Sequence, residues 1–68
     1  MKINIRDDSL KIKAVTGEQM DDLQKLVILL ELDSKTDYLS ECVVVTGAPK
    51  DLYSVLNVLA KKYDIELW

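Results

Sequence analysis

The sequence has no histidine and no phenylalanine, one cysteine, one proline and two glycines among 68 residues. Each shortage closes a route. Without histidine, the commonest zinc ligand and the side chain that titrates nearest neutrality are both missing. A single cysteine cannot form an internal disulfide. Cys42 also has no histidine to activate it as a nucleophile, so it reads as a structural thiol inside an apolar strand. Gly17 and Gly47 are too far apart to form a dinucleotide-binding or phosphate-binding glycine loop. No apolar run approaches the ~20 residues of a membrane span. The opening MKINIRDD is charged and alternating, unlike a secretory leader. A cytoplasmic protein with no metal and no cofactor is expected, and a lone thiol suits that compartment.

What remains is strongly two-natured. Hydrophobic residues make up 49% of the chain and charged residues 31%, a composition that folds and does not stay disordered. A single domain spanning residues 1–68 follows from length. Such a domain buries only about 60% of its extended-chain surface, so support from self-association or a partner is expected. The segment Leu26–Leu32 sharpens that point, because every residue in it except Glu31 is apolar.

Alternation in residues 2–6 and 10–15, with Asp7-Asp8-Ser9 between them, predicts a β-hairpin. Ile3, Ile5, Leu10, Ile12 and Ala14 would lie on one face, and Lys2, Asn4, Arg6, Lys11 and Lys13 on the other. Thr16 and Gln19 have the spacing of a capping box, with Val15 and Met20 as its hydrophobic staple. A helix over 17–32 is predicted, with Met20, Leu23, Leu26, Val27 and Leu30 on its buried stripe. Ile28, Leu29 and Leu32 would then point outward. A competing assignment ends the helix near Lys25 and makes 26–32 a buried strand, but leucine favours the helix.

Residues 33–40 are polar and read as a loop. Residues 41–46 form an apolar strand, Gly47-Ala48-Pro49 breaks it, and Pro49 suits the first turn of a second helix. That helix has Leu52, Val55, Leu56, Leu59 and Tyr63 on one stripe, and residues 64–68 close the chain as a short strand. The order is β-β-α-β-α-β, with the strands flanking the second helix parallel. The expected architecture is an α+β two-layer sandwich, a four-stranded mixed sheet with two helices on one face.

No constellation carries recognisable chemistry. Asp33, Asp37 and Glu41 lack EF-hand spacing and read as solvated loop carboxylates. Asp21 and Asp22 point to different sides of the first helix and compensate its dipole. The TGAPK stretch at 46–50 is strand–helix punctuation, not a phosphate loop. Charge is more telling. Residues 1–15 carry four bases and two acids, and residues 16–41 carry seven acids and two bases. The hairpin's bases would occupy the open face of the sheet, and the acids the helical side.

A small non-enzymatic protein-interaction domain is therefore expected, a regulator, inhibitor or accessory subunit. Its partner would be a protein, with self-association as a further option. The residues expected to carry binding are Lys2, Arg6, Lys11, Lys13 and Trp68 on the sheet, and Ile28, Leu29 and Leu32 on the first helix. The alternative is a nucleic-acid module using Lys2, Arg6, Lys11 and Lys13, although one tryptophan gives little stacking surface. A third class, a regulatory domain binding a small ligand at a dimer interface, would reveal itself by ligand-induced thermal stabilisation.

Overall fold

The computed structural model describes all residues from Met1 to Trp68. The elements are β1 (Lys2–Ile5), β2 (Ser9–Lys13), α1 (Gly17–Leu29), β3 (Asp33–Asp37), β4 (Cys42–Thr46), α2 (Pro49–Lys62) and β5 (Glu66–Leu67). The five strands form one mixed sheet in the order β3-β4-β2-β1-β5. All contacts are antiparallel except β1–β5, which is parallel. By these pairings β4 and β5 run in the same direction, with β2 and β1 between them. No helix is long and apolar enough to cross a membrane.

The hairpin alternation is realised with Ile3 opposite Ile12 and Ile5 opposite Leu10. Ile3, Leu10 and Ile12 are fully buried, as are Val43 and Val45 of β4. Both helices contribute to the same core, α1 through Leu23, Leu26 and Val27, and α2 through Leu52, Val55 and Leu59. The two apolar stripes read from the sequence are thus the ones that meet the sheet. The opposite face of the sheet has no helix on it.

Thr16 caps α1 by accepting from the Gln19 amide at 3.2 Å, while the Gln19 side chain accepts from the Val15 amide at 2.8 Å. The reciprocal bond of the capping box thus falls one residue early. Val15 remains 62% exposed.

Three sequence expectations need correction. The first helix ends at Leu29, not Leu32. Glu31 adopts φ 56°, and the Glu31 amide donates to the Ile28 carbonyl and the Leu32 amide to the Val27 carbonyl, each at 3.1 Å. These two bonds are the Schellman motif that closes many helices, usually around a glycine. With glutamate in that place, the sequence carries no stop signal, and the apolar run hides the end.

Second, residues 33–37 are a strand, not a loop. Asp33 to Asp37 pair along the whole of β4. Their own composition is polar, so no alternation announces them. They are held by the apolar strand beside them and by a tight connection in which Asp37 Oδ1 accepts from the Leu39 and Ser40 amides. Charged side chains on an edge strand also discourage edge-to-edge pairing with other chains.

Third, with β3 at its edge the sheet has five strands, not four, and β4 is an inner strand with one face open. Val43 and Val45 face the core, and by alternation Cys42, Val44 and Thr46 face the open side. Cys42 is nonetheless buried there, its thiol donating to the Ser40 carbonyl at 3.5 Å.

Candidate functional site

Strand pairing converts the open face into cross-strand rows. One row reads Asp37, Cys42, Lys13, Lys2, Glu66 from β3 to β5. The next reads Lys35, Val44, Lys11, Asn4, with Trp68 following in line beyond β5. Four cations therefore stand in two neighbouring rows. The second row contains no acid, and acids close both ends of the first.

Trp68 is fixed to this face by β1. Its amide donates to the Ile3 carbonyl at 2.9 Å, and its own carbonyl accepts from Asn4 Nδ2 at 3.2 Å. Trp68 as a whole residue is still 48% exposed, and Lys11 Nζ lies 4.8 Å from the ring centroid. A cation over an exposed aromatic ring is worth about 0.5–1 kcal/mol. Lys2 and Lys13 stand directly opposite each other, an arrangement of like charges that is destabilising. None of the four face lysines has a carboxylate within ion-pair distance, since the salt bridges of the chain are both made by Lys62. The Asp37 carboxylate is held below its usual range chiefly by hydrogen bonding from Ser40, with smaller help from the Leu39 amide and the charge of Lys11.

The second expected surface lies on the helical side. Ile28 is 75% exposed and Leu29 77%, as their positions beside the buried stripe imply. Leu29 joins Leu26 of α1 and Val58 and Leu59 of α2 in a shallow inter-helix groove of about 270 Å³. At one end of that groove Asp22 accepts from Lys62 at 2.6 Å and from the Tyr63 hydroxyl.

Lys2, Lys11, Lys13 and Trp68 are thus brought together on the open face, while Ile28 and Leu29 lie on the helical side of the molecule. Two expected residues belong to neither group. Arg6 lies beyond the end of β1 in the hairpin turn and borders a separate groove of about 310 Å³ with Ile5, Pro49, Tyr53 and Leu56. Leu32 is half-buried and packs on the core, one methyl 3.0 Å from where a side chain on Gly47 would begin. The sequence reading missed Lys35, whose strand was not legible. It also missed the exposed Val58, which is adjacent to the buried Leu59. No three metal-binding side chains converge.

Comparison with known proteins gives no match: no family model, no curated protein and no solved structure is significantly similar to the chain.

Proposed function

We propose that this chain is a non-enzymatic protein-interaction domain that binds its partner through the open face of the sheet. The observation carrying this reading is the uncovered row containing Val44, Lys11 and Trp68, where a large aromatic is anchored by backbone bonds yet half exposed. An apolar centre within a charged rim is the common anatomy of an interface. Rigid aromatic anchors contribute disproportionately to binding. A regulator, inhibitor or accessory subunit would act in this way, by occupying or bridging surfaces. The free Cys42 thiol is in keeping with a reducing compartment such as the cytoplasm.

A second reading is favoured by one specific feature, the exposure of Ile28, Leu29 and Val58 along the helical side. Exposed apolar side chains of this sort, with Leu29 and Val58 lining one groove, support self-association. The nucleic-acid alternative is weakened by Asp33, Asp37 and Glu66, which bring negative charge to the cation-bearing face, and by the departure of Arg6 from it.

Affinity capture from nuclease-treated lysate of the native source, followed by mass spectrometry, tests the proposal. A stoichiometric protein lost on Val44→Lys or Trp68→Ala, and retained on Leu29→Asp, supports the open face. Loss only on Leu29→Asp transfers binding to the helices. Capture that disappears with nuclease treatment points to nucleic acid.

A further inference from the structure

Resting on the open-face reading above, we infer that the partner presents an acidic amphipathic segment laid across the strands, over the row Lys35–Val44–Lys11–Asn4–Trp68. Three features of the face select this chemistry. First, its cations outnumber its acids and none is ion-paired: Lys2, Lys11, Lys13 and Lys35 share a face with Asp33, Asp37 and Glu66, and no carboxylate lies within ion-pair distance of any of the lysines. The Lys2–Lys13 opposition is unfavourable in the free protein, and an external anion would relieve it.

Second, the row combines charge with apolar contact. Val44 lies between Lys35 and Lys11, and Trp68 follows Asn4 at the far side. At ~4.8 Å between strands the row is about 19 Å long, which about thirteen residues of helix at ~1.5 Å each would span. Apolar side chains of such a segment would rest on Val44 and Trp68. Its carboxylates would meet Lys11 and Lys35 directly and Lys13 and Lys2 alongside.

Third, the acids delimit the site. Asp33 and Asp37 stand at the two ends of β3, and Glu66 stands on β5 beside Lys2. A single narrow acidic segment avoids all three. The broad phosphate array of a nucleic-acid duplex would run over them, and only one aromatic is present for stacking against single strands.

Trp68, the only tryptophan, reports on the site directly. Its emission is followed at low salt during titration with an amphipathic peptide bearing glutamates along one side and leucines beside them. The glutamine counterpart and a single-stranded oligonucleotide of equal charge serve as comparison probes. The inference requires that the acidic peptide shift the emission and that the glutamine peptide does not. It also requires that Lys11→Gln with Lys13→Gln weaken binding about tenfold, roughly 1.4 kcal/mol, and that added salt reduce it through screening. Equal binding of the glutamine peptide, tighter binding of the oligonucleotide, or no binding of the acidic peptide overturns it. So does an emission shift caused by raising the protein's own concentration, which would make the occupant a second copy. Capture of the native partner separates the two levels. Sensitivity to Val44→Lys without sensitivity to the lysine changes leaves the open face standing and removes the acidic segment. Insensitivity to both removes the open face itself.

Discussion

The ammonium of Lys62 at the end of α2 lies 2.6 Å from the Asp22 carboxylate in the first half of α1, tying the two helices across the groove between them. Tyr63 donates its hydroxyl to the same carboxylate oxygen, and Glu18 stands 3.6 Å from the lysine. Asp22 is thereby held below its ordinary carboxylate value of 3.8, first by the Lys62 bond and then by the Tyr63 bond. Lys62 is raised for the reciprocal reason.

The pH dependence follows with a definite sign. A carboxyl whose folded-state value is depressed contributes stability above its unfolded value, here about 3.8, and loses it as pH falls through the folded value. Asp22→Asn should therefore lower the melting temperature near neutrality and flatten its decline in acid. At the alkaline end, Asp22 raises Tyr63 above its ordinary 10.0. The contribution of Tyr63 is complete below pH 10 and lost as pH rises through the raised value, so Tyr63→Phe should flatten the alkaline limb. Identical acid and alkaline profiles for wild type and variants would remove this linkage.

Glu31 holds a left-handed backbone conformation that glycine adopts without penalty. Glu31→Gly should stabilise the fold by about 1 kcal/mol, less what the freer unfolded chain takes back. Urea denaturation checks this. An unchanged or lower midpoint would show that the Glu31 side chain has a role outweighing the strain.

Leu29 and Leu32 are alike in sequence and different in the fold. Leu29→Asp should change stability by no more than about 0.5 kcal/mol, as expected of an exposed site. Leu32→Asp places a carboxylate against the core and above Gly47, and should cost about 2 kcal/mol or more. Thermal melts of the two variants, run in parallel, decide the matter. Equal losses would contradict the placement of Leu32.

Cys42 faces the open side yet is only 7% exposed. Its reaction with a thiol reagent should be slow in the native state and accelerate steeply with urea, because exposure requires the β3–β4 hairpin to open. A rate matching that of a free thiol in native buffer would mean that this corner of the sheet is open.

Much of the fold is legible in the residues. Both helical stripes, the hairpin faces and the apolar strand β4 follow from periodicity, because each element buries apolar side chains on a face of its own. The cation-bearing positions Lys2, Lys11 and Lys13 are legible for the same reason, being the outward half of an alternating strand. Lys35 is not, because β3 contributes little apolar surface and takes its form from the β4 backbone. The end of α1 is equally hidden, since its stop signal is a backbone conformation carried by a glutamate.

The sequence by itself determined the local periods, the N-cap of the first helix and the α+β class, since these depend on near neighbours and on side-chain chemistry. Only the tertiary structure decided that β5 lies against β1, that Trp68 comes over Lys11, and that four lysines from three strands share one face. Those relationships depend on strand order and register, which are set by how both helices and the sheet close around Ile3, Leu10, Ile12, Val43 and Val45.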